Sequence, residues 1–236
     1  MTTLLNIRLV KKPHIIFEDN HLLAIVKPAG MLAQGDASGD QSVVEWIKAF
    51  LKERDQKPGN VYLGLLHRLD RPTGGVLLLA KTSKAASRLS KQFQNREVAK
   101  TYWLLTQKRL PESRGELIHY LKQLPGKKNI MKAFPRQVAD SKKAHLSYQI
   151  LSRKGGRALV SVDLHTGRKH QIRVQMAAVG APIQGDVKYG AASFNPDKSI
   201  CLWARSLEIT HPTLQEKIIF EAPLPPGKLW SPFNQS

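Results

Sequence analysis

Asp70 stands between Arg68 and Arg71, with His67 just before them, in the stretch "LLHRLDRPTGGVLLLAKT" (residues 65–82), where these charges interrupt two aliphatic runs. An opposite charge within a few ångströms favours the ionised form of a carboxylate. Asp70 therefore reads as an anion held at the edge of an apolar core, able to act as a nucleophile or a base. The same residues also fit a turn in which the aspartate caps backbone N–H groups and Pro72, Thr73, Gly74 and Gly75 supply the turn chemistry. Taken alone, the segment favours the turn. His67 before the aspartate would suit a hydrolase, but no serine sits in a G-x-S-x-G elbow. His67, His119, His145, His165 and His170 fall into no HExxH or CxxC spacing, so no metal is expected. The single cysteine, Cys201, reads as a small buried side chain.

Strands and helices must hold Asp70 in place. "HIIFED" and "HLLAIVKP" read as strands joined at Asp19-Asn20, an opening hairpin followed by the Gly-rich loop "VKPAGMLAQGDASGD". Ser42 and Glu45 have capping-box spacing, and Val43, Trp46, Ile47, Phe50 and Leu51 form one apolar helical stripe, read as core. "VYLGLL" and "GVLLLAKT" flank the aspartate and suit strands buried on both faces. "SKAASRLSKQFQN" is helical, "AKTYWLLT" a strand, and residues 108–144 irregular and basic with a turn at "GKKN". "AHLSYQIL" and "RALVSVDLH" are strands, "HQIRVQMAAVG" is a helix stopped by Gly180, and "SICLWARSLEIT" and "KIIFEAPLP" return to strands. Mixed elements without strict alternation point to an α+β fold around a large, mostly antiparallel sheet. With no linker in the composition, residues 1–236 are expected to form a single domain.

Charge narrows the partner. Thirty-seven Lys and Arg against 18 Asp and Glu give a formal net charge of +19, and such an excess favours a polyanion through counterion release. Basic residues recur in "PGKKNIMKAFPR", "DSKKAHLSY", "SRKGGRA" and "TGRKHQIR", so the surface of the folded domain, and not a tail, is expected to bind nucleic acid. The longest apolar runs are strand-length, far short of the roughly 20 residues of a membrane helix. "MTTLLNIRLVKKP" has no secretory pattern, and a cytoplasmic location is expected.

Four segments in order then carry a resemblance. "HRLDRPTGGVLLLAKT" resembles the H-R-L-D-x-x-T-S-G signature of the ribosomal large-subunit type of pseudouridine synthase. "VKPAGMLAQGD" is similar to that family's N-terminal strand and loop, "VAKTYW" to its segment with the active-site tyrosine, and "LHTGRKHQIRVQMAAVGAPIQGDVKYG" to its last motif. The resemblance spans residues 14–211. It implies the pseudouridine synthase fold, with flanking helices and loops around a central RNA-binding cleft. It also implies an isomerase that converts uridine to pseudouridine in a stem-loop of ribosomal or transfer RNA, as a monomer and without cofactor or metal. A non-catalytic RNA-binding module or RNA chaperone on the same fold is the alternative.

By motif position, Asp70 is the catalytic aspartate, acting by attack on the anomeric carbon or by removal of a ribose proton. Tyr102 would pack on the flipped base, since a π-face holds uracil without demanding one orientation. Without the resemblance, Tyr102 reads equally well as a core aromatic beside Trp103. Arg173 would pair with the aspartate through a guanidinium fork. The alternative for Arg173 is an exposed residue on an amphipathic helix whose apolar stripe is Ile172, Met176 and Val179. Arg68 would hold the flipped-out backbone or fill the vacated space. His67, Arg71, Arg168, His170 and Ile172 complete the residues expected near substrate. One departure stands out: Thr73-Gly74-Gly75 replaces T-S-G, which removes a hydroxyl and adds a glycine to the loop. A first strand near residue 14 leaves no room for the small RNA-binding domain of many relatives, so target choice is expected to rest on the domain's own basic surface.

Overall fold

The computed structural model describes residues 12–110, 112–126, 129–225 and 227–233. The reading of the N-terminal residues as free of a secretory pattern falls on residues 1–11, outside this set, apart from its last two positions.

Alternation of buried side chains on two central strands organises the fold. The opening hairpin pairs β1 (His14–Glu18) with β2 (Leu22–Lys27), and β2 pairs along its length with β4 (Gly74–Ala80). On one face Leu22, Ala24, Val76 and Leu78 join Leu89 of α2 (Ser83–Asn95). On the other, Leu23, Ile25, Leu77 and Leu79 meet Val43, Ile47 and Leu51 of α1 (Val43–Arg54). The aliphatic runs are thus buried on both faces, as parallel-type core strands are. The α1 capping box is present, with the Ser42 hydroxyl accepting from the Glu45 N–H and the Glu45 carboxylate accepting from the Ser42 N–H. Trp46 and Phe50, expected in the core, stack on one another at its half-exposed flank.

Further strands complete an eleven-stranded sheet among the described residues: β3 (Gly64–Leu65), β5 (Ala99–Thr106), β6 (Arg114–Gln123), β7 (Met131–Phe134), β8 (Lys142–Lys154), β9 (Arg157–Leu164), β10 (Leu202–Thr210) and β11 (Lys217–Glu221). The order is β1-β2-β4-β10-β5-β9-β8-β6-β7, with β3 on β4 and β11 on β10, and every pairing is antiparallel except β4 with β10. Residues 108–144, expected to be irregular, hold all of β6 and β7 and the start of β8. Their alternation is weak because only Leu117 and Leu121 of β6 are buried, so period two is diluted by charge on the open face. The two lysines of the "GKKN" turn lie outside the described residues.

The expected strand at residues 61–66 shrinks to the two-residue β3. On that edge of β4, β10 takes Gly74–Gly75 and β3 pairs with Leu79–Ala80. Between them, the Leu78 N–H donates to His67 Nε2 at 3.1 Å, so a side chain takes the place of a strand.

Candidate active site

The turn expected around Asp70 forms, with the Thr73 N–H donating to the Asp70 carbonyl at 2.9 Å. The Asp70 carboxylate does not cap it. It faces a cleft of about 550 Å³ and accepts from Arg173 Nη1 at 2.9 Å, a partner 103 residues away. The backbone therefore forms the turn, while the side chain is held by a distant arginine and not by the turn itself.

Two connections aim the turn. His67 is half-buried and stacks on Phe93, and loss of solvent together with nearby Lys100 pushes its pKa down to about 3. A neutral ring that accepts at Nε2 carries its proton on Nδ1, so His67 has no free base at Nε2 and serves to fix the loop to β4. On the other side Lys27, fully buried at the end of β2, donates from Nζ to the carbonyls of Pro28 (2.9 Å), Met31 (2.7 Å) and Arg71 (3.3 Å). The Gly30 N–H adds a 2.7 Å bond to the Arg71 carbonyl. Burial lowers the Lys27 pKa to about 7, with the Asp70 charge opposing. Lys27 was not foreseen, although a charge ending the apolar run "LLAIV" is the signal for it.

Arg71 does not flank the carboxylate as expected. Its guanidinium instead bonds the Gly30 carbonyl (Nε, 3.0 Å) and Asp40 (Nη2, 2.6 Å). Arg68 is exposed on the ridge between the cleft and a second groove lined by Gln34, Val44 and Lys48. The counter-ion of Asp70 is Arg173.

Arg173 lies on α3 (Gln171–Ala178). The expected amphipathic helix is instead enclosed: Ile172 and Met176 join the large cluster, Val174 packs with Leu121, Ala144 and Tyr189, and Arg173 is only 5% exposed. Its buried polar side chains are hydrogen-bonded, apart from Gln175 Oε1, which has no partner among the described residues. Gln171 accepts from the Thr166 hydroxyl and the Arg168 N–H, and Gln175 donates to the Leu117 carbonyl. Arg173 donates from Nε (2.6 Å) and Nη2 (2.8 Å) to Asp186, itself 1% exposed, which leaves Nη1 for Asp70. Two carboxylates raise the Arg173 pKa against the opposing effect of burial, so the guanidinium stays charged. The Tyr189 ring lies under it, 5.0 Å from Cζ. Asp186 and Tyr189 lie within the last motif, but nothing in its spacing marks them as neighbours of Arg173.

Tyr102, on β5 between β10 and β9, lines the same cleft, while its neighbour Trp103 packs against Arg205. Burial and the Asp70 charge push the Tyr102 phenol well above its ordinary pKa, which keeps it protonated. Arg168, His170 and Ile172 also line the cleft; Arg168 Nε donates to the Lys143 carbonyl at 3.0 Å, and Ile172 is a core residue with one edge on the cleft.

The Thr73-Gly74-Gly75 departure has a physical cause. A side chain on Gly74 would overlap Trp203 Cζ3 and lie 2.9 Å from Cε3 and 3.1 Å from the Lys27 carbonyl. Gly75 has φ +113°, and a Cβ there would collide with the Ala204 backbone of the parallel β10. Trp203 occupies the space that a serine at 74 would need.

The profile of the RNA pseudouridylate synthase family matches residues 21–178. The chain belongs to that family. Among its pseudouridine synthase relatives, ribosomal large subunit pseudouridine synthase D of Nitrosomonas europaea is 33% identical over 220 residues, 89% of this chain and 62% of that protein. Ribosomal large subunit pseudouridine synthase C of Escherichia coli (strain K12) is 32% identical over 226 residues, 90% of this chain and 67% of that protein. The chain thus spans about two thirds of the length of these curated relatives. Human RNA pseudouridylate synthase domain containing 4 superposes with a TM-score of 0.73 at 27% identity, covering 90% of this chain and 88% of that one. Human RNA pseudouridylate synthase domain containing 1 gives 0.73 at 26% identity, covering 91% and 84%. The α+β pseudouridine synthase fold expected from the sequence is the one observed.

Proposed function

We propose that this chain isomerises uridine to pseudouridine within structured RNA, with Asp70, Arg173 and Tyr102 as its catalytic groups. The observation that carries the reading is the Asp70–Arg173 pair, joined at 2.9 Å across the wall of a cleft that Tyr102 also lines. In the reaction the N1–C1′ bond of the nucleoside breaks, the uracil turns while bound, and a C5–C1′ bond forms. The C5 proton is released and N1 regains one. Either attack on the anomeric carbon or removal of a ribose proton needs a carboxylate held at the sugar, and Arg173 Nη1 holds it through a charge-assisted hydrogen bond. Tyr102, held protonated, offers a π-face to the turning base and is not its base catalyst.

RNA enters through charge. Arg68, Arg96, Lys100, Arg168 and Lys169 line the cleft, and the chain carries a formal +19. The names of the relatives make a large-subunit ribosomal RNA hairpin the first substrate to test, ahead of transfer RNA. The chain works as a monomer in the cytoplasm without metal or cofactor, with target choice resting on its basic surface. Among the described residues no helix is long and apolar enough to cross a membrane.

RNA labelled with tritium at uridine C5 tests the reading. The wild type should release tritium, and Asp70→Asn should release none. If wild-type protein releases none from total cellular RNA, the non-catalytic RNA-binding alternative replaces this one; release by Asp70→Asn equal to wild type removes Asp70 from its role.

A further inference from the structure

His170 lies in the left-handed backbone region (φ 54°) at the start of α3, with its side chain turned into the site and not used to cap the helix. Its Nδ1 is 2.7 Å from the Tyr189 hydroxyl, and its Nε2 is 3.7 Å from Asp70 Oδ2. Burial, with Arg173, Lys188 and Lys169 acting in the same direction and Asp70 opposing, lowers its pKa to about 4. The ring is therefore neutral near pH 7, with one N–H and one acceptor.

The neighbours fix which nitrogen holds the proton. The Tyr189 oxygen already accepts the Met131 N–H at 3.1 Å, so its own O–H is free to donate to His170 Nδ1. The opposite tautomer would aim the lone pair of Nε2 at a carboxylate oxygen. The proton thus belongs on Nε2, facing Asp70. The 3.7 Å separation is too long for a hydrogen bond, and closing it needs a shift of only about 0.7 Å to reach a normal length. The Asp70 side chain, 29% exposed, has room for that shift.

Arg173 and His170 both point at the same oxygen, Oδ2, while Oδ1 has no hydrogen-bond partner among the described residues. We infer that Oδ2 of Asp70 is the anchored oxygen and Oδ1 the reacting one, and that His170, its tautomer set by Tyr189, is a positioning residue that joins Arg173 in holding Oδ2. This rests on the proposed uridine isomerisation and replaces the expectation that His170 binds RNA. Two donors on one oxygen fix the carboxylate plane, so that the other oxygen meets the sugar with a defined lone pair, a form of preorganisation.

Two substitutions separate this role from a structural one. The amide nitrogen of His170→Gln reaches the place of Nε2, while that of His170→Asn reaches only the place of Nδ1. Asn is the residue better suited to the left-handed backbone. A purely structural histidine therefore predicts Asn at least as active as Gln, and the positioning role predicts the reverse. With C5-tritiated RNA at saturating concentration, kcat of His170→Gln should stay within about threefold of wild type, and that of His170→Asn should fall about 10–100-fold, the range for a lost hydrogen bond to a charged group. KM should be unchanged in both. Tyr189→Phe should lower kcat about tenfold at constant KM through loss of the fixed tautomer. An Asn variant as active as Gln, or losses expressed in KM, overturns the inference; an unaltered kcat in Tyr189→Phe overturns the tautomer assignment. A wild type that releases no tritium is a different failure, that of the proposed function, and is read before any variant.

Discussion

Gly74→Ser restores the hydroxyl that the resemblance led one to expect, and the structure predicts that it destabilises the protein. The new Cβ would lie 2.9 Å from Trp203 Cε3 and closer still to Cζ3, against an optimal carbon–carbon contact of about 3.5–4.0 Å. The indole has little freedom to yield, being 7% exposed with Nε1 donating to the Pro223 carbonyl at 3.1 Å. Overpacking of this kind costs about 1–3 kcal/mol, and with a rigid ring on one side and the Lys27 carbonyl on the other we place it near ~2 kcal/mol. At an m-value of about 2–3 kcal/mol/M, the urea midpoint should fall by about 0.7–1 M. Trp203→Ala is itself destabilising by about 3–5 kcal/mol through the cavity it leaves, but it removes the clash. In that background Gly74→Ser should cost less than about 0.5 kcal/mol, a coupling of about 1.5 kcal/mol in the double-mutant cycle. A Gly74→Ser protein that unfolds at the wild-type urea concentration, or one that loses the same amount in both backgrounds, would refute the steric account.

The remaining predictions concern charge. His67 is held neutral with its pKa lowered to about 3, so the unfolded chain binds a proton that the folded chain does not. Its stabilising contribution is therefore complete above about pH 6.5 and is lost as pH falls from there towards 3. Urea midpoints should decline across that window in the wild type and decline less in His67→Gln, which keeps an acceptor for the Leu78 N–H. Asp186→Asn leaves the buried Arg173 charge poorly compensated; it should cost about 3 kcal/mol of stability and lower kcat with little change in KM, since Arg173 keeps its place beside Asp70 less well. RNA affinity should weaken steeply between low and moderate salt, with a log–log slope that reports the number of phosphates contacted. EDTA should leave tritium release unchanged once RNA folding is controlled for.

Much of the architecture could be read because it is written locally. The opening hairpin, the capping box at Ser42 and Glu45, and the double-sided burial of β4 each follow from side chains a few residues apart. Residues 108–144 could not be read so, because β6 shows its apolar side only at two positions and its order depends on eight pairs with β8. The extent of β3 likewise depends on which edge of β4 the distant β10 has taken, a fact of topology that residues 61–66 do not contain.

The site shows the same division more sharply. Periodicity put Arg173 off the apolar stripe of its helix, which left open an exposed residue or one turned towards the site. Exposure is decided by what covers a face, and here β6, the 3-10 turn Val187–Tyr189 and the Asp70 turn all close over it. A buried guanidinium is stable only when its donors are met, so an arginine enclosed on α3 requires carboxylates that its own helix does not provide. One is Asp70, 103 residues earlier, and the other Asp186, 13 residues later. The clamp on Arg173 is thus what makes the enclosed helix possible, and it also sets the direction of the one N–H that reaches Asp70. Stability and orientation come from the same two hydrogen bonds to Asp186, so a variant at that position cannot lose one without the other.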